Sequence, residues 1–89
     1  MTLARKGTRQ IVVDGVQYRW TVAPDEEPGV GIVAESATLP AQRLVSWIDH
    51  GVAIGPGLVG SAILDGLAAG WVPTLPGPDF IRRVPASLI

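Results

Sequence analysis

The 89-residue chain contains no cysteine, one histidine, one tyrosine and one phenylalanine. Without cysteine there is no disulfide framework and no thiolate metal site, and one histidine excludes a His-rich zinc centre. Charge is scarce as well. Charged residues make up 17% of the chain, against roughly 25% in ordinary globular chains. The formal net charge of −1 lacks the basic excess of a typical nucleic-acid binder. A run suited to crossing a membrane is also missing. The one stretch of that length, residues 51–72, is interrupted by Asp65 and holds Pro56 and five glycines beyond Gly51. The N-terminus MTLARKGTRQ is too polar for a secretory signal, whose apolar centre needs roughly 7–15 residues. These absences point to a cytoplasmic protein with no membrane partner and no cofactor.

What is present is apolar: 47% of the residues are hydrophobic. A chain of this size buries only roughly 60–65% of the surface its unfolded form exposes. Too few charges remain to coat the rest, so apolar surface is expected to meet a partner, most simply a second copy. The expected organisation is a single domain over residues 1–89, with a flexible basic tail at 1–8 and a C-terminal tail at 85–89.

The clearest local signal is RQIVVDGVQYRWTV. Two β-rich runs flank Asp14-Gly15, and a two-residue Asp-Gly loop favours a type I′ hairpin because both positions tolerate positive φ. That loop sets the register: Val13 opposite Val16, Ile11 opposite Tyr18, Arg9 opposite Trp20. These residues and Val22 share an apolar face expected to be core, whereas Gln10, Val12, Gln17, Arg19 and Thr21 form a mostly polar face. Beyond a turn with an acidic cluster, Asp25 to Glu27, VGIVAES reads as a third strand weakened by Gly31. QRLVSWI reads as a fourth, apolar on both faces and therefore central or covered on both sides. Which of its faces meets the helix is not fixed by the pattern.

GPGLVG, Gly55 to Gly60, spells the G-x-G-x-x-G of dinucleotide-binding turns, with Asp79 about twenty residues on. Its context is wrong. A chain that begins with a hairpin has no room for a doubly wound sheet. Asp79 precedes its strand, no Lys or Arg lies between Arg43 and Arg82, and Pro56 removes a backbone donor. The motif reads instead as a helix start with Pro56 in the first turn. The helix runs to about Ala69, with Gly70 in left-handed conformation and Trp71 packing back on the last turn near Leu67. A weaker expectation survives the loss of the nucleotide reading. The uncapped N–H groups of Gly57 and Leu58 could contact a small anion.

Val59, Ala62, Ile63, Gly66 and Leu67 form the core stripe of this helix. Its other side carries Gly57, Gly60, Ser61, Leu64 and Ala68, and Asp65 is its only charge. A helix apolar nearly all round is usually buried nearly all round, and one sheet covers only one side. Those five residues are therefore the candidate interface of a two-fold homodimer or of another protein partner. FIRRV, after a stiff proline-rich connector, reads as a last short strand. The expected fold is α+β, order β-β-β-β-α-β: a small antiparallel sheet of four to five strands with one helix packed on one face.

Two further constellations carry little chemistry. Asp49 and His50, with Ser46 nearby, are the only residues suggestive of catalysis, but neighbours on an extended chain point opposite ways. DHG is better read as a turn, and no catalytic residue is assigned. Tyr18, Trp20 and Trp47 with Arg9, Arg19 and Arg43 could form a platform for single-stranded nucleic acid. The hairpin register argues against it by separating Arg19 from Tyr18 and Trp20, and Arg9 opposite Trp20 fits a cation–π contact.

From Arg9 to Val84 the chain resembles a set of short uncharacterised bacterial single-domain proteins. The resemblance rests on VDGVQYRW, Pro56, Val59, Ile63, GWVP at Gly70 to Pro73, and the strand beginning at Phe80. It implies a bacterial, free-standing protein and brings no catalytic residues. A threonine cap is expected before the helix-initial proline in that pattern. Gly55 stands there instead, a substitution that a cap position tolerates with little loss. The leading expectation is thus a small non-enzymatic interaction module.

Overall fold

In a computed structural model, residues 7–23 and 29–88 are described. The acidic cluster at 25–27 and residues 1–6 of the expected basic tail lie outside them. Five strands form one sheet in chain order: β1 (Arg9–Val13), β2 (Val16–Val22), β3 (Val30–Ser36), β4 (Leu44–Ile48) and β5 (Phe80–Arg83). The helix α1 spans Pro56–Ala69. The fold is α+β, with one helix against one face of the sheet.

Asp14 (φ 50°) and Gly15 (φ 79°) both adopt the left-handed conformation that a type I′ turn demands. The pairing follows from it: Val13 meets Val16, Ile11 meets Tyr18, and Arg9 meets Trp20. The ladder continues antiparallel through β3 and β4. β5 departs from the expected all-antiparallel sheet and runs parallel to β4, Leu44 against Phe80 and Trp47 against Arg83. The cause is α1. A helical crossover returns the chain to the end of the sheet where β4 began, and only a parallel strand can follow from there. The sheet is therefore mixed.

The core lies between sheet and helix. Tyr18, Trp20, Ile32, Ala34, Leu44 and Ile48 face Val59, Ala62 and Ile63. The face of β4 turned to the helix is thus Leu44, Ser46 and Ile48, while Val45 and Trp47 turn away. Trp47 covers the weak point of β3. Its ring carbon Cζ3 lies 3.4 Å from where a Cβ on Gly31 would stand, so the indole packs over the strand's missing side chain.

Helix α1 starts at Gly55, which offers no side-chain cap, with Pro56 in the first turn. It ends in a Schellman arrangement. Gly70 is left-handed (φ 112°), its N–H donates to the Leu67 carbonyl, and the Trp71 N–H donates to the Gly66 carbonyl. Trp71 then packs into the core, where its indole lies 5.8 Å from the Tyr18 ring of β2 and donates through Nε1 to the Gln42 carbonyl. Near the end of the helix the backbone comes close to β4. A Cβ on Gly66 would fall 2.9 Å from both methyls of Leu44.

Within the expected C-terminal tail, residues 86–88 are packed on the fold. Ala86–Leu88 form a 3₁₀ turn packed against α1, with the Leu88 N–H donating to the Pro85 carbonyl. Pro85 fixes the backbone into that turn and so returns the chain toward the helix.

Candidate functional site

The helix's single charge is spent internally. The Arg82 guanidinium, reaching up from β5, donates through Nε and Nη2 to the two oxygens of Asp65, at 3.0 and 2.9 Å. This bidentate geometry matches guanidinium to carboxylate, and it holds the Arg82 pKa above its ordinary value. Two further pairs follow the same logic around β5. Arg43 makes a bidentate pair with Asp79, at 3.1 and 3.0 Å, and Arg83 pairs with Asp49. Three acids and three arginines, separated by 17 to 36 positions in sequence, thus neutralise one another.

The residues of the glycine motif occupy separate roles. Gly55 is the helix cap, and Gly57 is exposed in the first turn with open space beside its Cα. Gly60 lies on the flank of α1 turned to β1, where a Cβ would meet the Cδ1 of Ile11 at 3.8 Å. Asp79, the acid a ribose would need, is engaged by Arg43. The N–H groups of Gly57 and Leu58 stand at an uncapped helix start, and the three paired arginines are committed elsewhere.

The remaining interface candidates sit along the outer side of the helix. Leu64 is 45% exposed and Ala68 is exposed, while Ser61 is half-buried. Ser61, Leu64 and Asp65 form one wall of a mostly apolar groove of about 360 Å³, and Pro85, Ser87 and Leu88 form the other. The groove exists because the C-terminal turn packs beside the helix. Sequence reasoning missed that wall, and the only sign of it was Pro85 followed by an apolar end.

Asp49, His50 and Ser46 do not converge. Ser46 is buried beneath α1 with an unpartnered hydroxyl, whereas Asp49 and His50 are exposed in the turn after β4 and Asp49 is paired with Arg83. Among the described residues no group of three His, Cys, Asp or Glu is placed to hold a metal. No helix among them is long and apolar enough to cross a membrane. Of the aromatic and basic set, Arg9 lies over the Trp20 ring at 5.8 Å. Arg43 is engaged by Asp79, and Tyr18 and Trp20 are buried in the core.

Tyr18 provides a spectroscopic reporter of this core because it is the only tyrosine. Burial, with a smaller contribution from the Asp14 carboxylate, raises its pKa above the ordinary 10.0. The protonated phenol is therefore favoured in the folded state. The stabilisation this gives is fully present below the unfolded value and is lost as pH rises through the folded one. Tyrosinate absorbance should thus develop at higher pH in the native protein than in urea, and the unfolding free energy should fall above about pH 10. Coincident titrations in the two states would contradict a buried phenol.

Comparison with family models, with curated proteins and with solved structures finds no match to this chain.

Proposed function

We propose that the protein is a small non-enzymatic interaction module that acts in the cytoplasm as a homodimer, with the outer side of α1 in the interface. One observation carries this reading. The helix's only charge, Asp65, is turned to Arg82, so the side that exposes Gly57, Leu64 and Ala68, with Gly60 and Ser61 half-buried at its flanks, carries no charge. An ordinary surface helix carries charged residues on its outer face. Here that face holds a half-exposed leucine, small residues that let two backbones approach, and an apolar groove closed by Leu88. A two-fold axis would let one such surface cover its own copy.

The test is Leu64→Lys. Leu64 is outside the core, so the fold should survive, and its circular dichroism should match the parent. The variant should lose the dimer, because a lysine in the middle of an apolar interface must be desolvated. Light scattering at matched concentration reads the mass, and an undiminished dimer would exclude Leu64 from the interface.

A further inference from the structure

We propose that β1 is the edge at which two copies join, pairing antiparallel with β1 of the second copy to make one continuous ten-stranded sheet. This rests on the homodimer reading above and specifies how the two chains meet.

The first observation is which backbone groups are free. Among the described residues β1 has β2 on one side and no strand on the other. The type I′ turn pairs Val13 with Val16 through its own i to i+3 bond, and bonding alternates along an antiparallel ladder. Arg9, Ile11 and Val13 therefore bond inward to β2. Gln10 and Val12 direct their N–H and C=O groups outward, and both residues are exposed. A row of such groups is a template for another extended strand.

The second observation is the contrast between the two edges. β5, the opposite edge, is a four-residue strand with Arg82 and Arg83 in it and Pro85 just beyond. Shortness, charge and proline are the ordinary protections of a sheet edge. β1 has no proline, a single charge at its start and three β-branched residues in the sequence RQIVV.

The third observation selects a second copy as the occupant. β1 begins with a cation, Arg9, and runs into an anion, Asp14, in the turn that ends it. Antiparallel self-pairing centred on Ile11 puts Gln10 opposite Val12 of the other copy, so that the outward groups meet in two mutually bonded pairs. It also sets Arg9 against Val13 of the second chain, beside its Asp14, at both ends of the junction. A parallel alignment would place like charges together, which costs rather than stabilises. The two-fold axis of this pairing stands perpendicular to the sheet, so both helices lie on the same side of it. Gly60 is on the flank of α1 nearest β1, and helical spacing puts Gly57 and Leu64 within the same narrow sector. The small, uncharged flanks of the two helices thus face each other above the joined edges.

The experiment is a pair of variants read by sedimentation, together with amide exchange on the unaltered protein. Val12→Pro removes an outward N–H while leaving every bond to β2, and an edge strand tolerates proline there. The expected result is that Val12→Pro halves the mass of the dimer. In the unaltered protein the Gln10 and Val12 amides should exchange as slowly as those of Ile11 and Val13. Should Val12→Pro fail to fold, the exchange measurement decides alone. If Leu64→Lys is monomeric while Val12→Pro remains dimeric and its edge amides exchange quickly, the dimer is helical and the edge junction is overturned. If Val12→Pro alone is monomeric, the edge junction holds and the helix-face reading fails. Loss of the dimer in both variants supports a single continuous interface, and persistence of the dimer in both overturns both.

Discussion

Replacing Trp71 with alanine is expected to lower the unfolding free energy by about 3–5 kcal/mol, the usual cost of truncating a buried aromatic. A small domain has only about 5–15 kcal/mol of stability in total. Three losses coincide at this position. The indole is 2% exposed, so its removal leaves a cavity that its neighbours cannot close without moving. It lies against Tyr18, so one edge of the β2 core loses its aromatic contact. Its Nε1 donates to the Gln42 carbonyl, which would be left without that donor. Trp71 also joins three parts of the chain: the end of α1, the second strand and the connector before β4. Urea unfolding at one fixed protein concentration gives the number, since association with a second copy makes the midpoint concentration-dependent. A loss below about 1 kcal/mol, within the range of an ordinary surface substitution, would mean that the indole is not packed as described.

The second large effect is expected from Gly66→Val, at about 2–3 kcal/mol destabilising, the range for inserting atoms into a filled core. Glycine inside a helix ordinarily costs about 1 kcal/mol against alanine, so its presence at position 66, before the helix ends, calls for a reason. The reason is Leu44. Its two methyls stand 2.9 Å from the position a Cβ would take, and Leu44 itself is fully buried. Valine would push α1 off β4 and disturb the crossover that makes β5 parallel. The same unfolding measurement checks it, and a variant as stable as the parent would show that helix and sheet are not in close contact there.

The legible parts of this fold were those set by local chemistry. Asp14-Gly15 determined the hairpin register residue by residue, because only one pairing fits a two-residue loop with both φ values positive. Pro56 and Gly70 bracketed α1 correctly, since one suits a helix start and the other supplies the left-handed residue at its end. The direction of β5 was not legible: it depends on where the crossover returns the chain, and FIRRV reads alike in either direction. Nor were the arginine pairs. Asp65 and Arg82 are 17 positions apart, and only the packing of α1 across β4 and β5 brings them together. Asp79 drew notice as a ribose partner and turned out to bind Arg43. The five interface candidates on α1 were named from helical spacing, as the side opposite the core stripe, and from the scarcity of charge there. Their chemistry is sharpened by something the pattern did not contain, the Pro85–Leu88 turn that builds a second apolar wall beside Leu64.

The uncharged flank of α1 at Gly60 and the strand edge of β1 lie on the same side of the molecule, where a second copy can cover both. Sedimentation equilibrium of the unaltered protein across the micromolar range tests this most directly. The expected mass is twice that of the 9.3 kDa chain. A mass that stays at that of one chain at every concentration would contradict it.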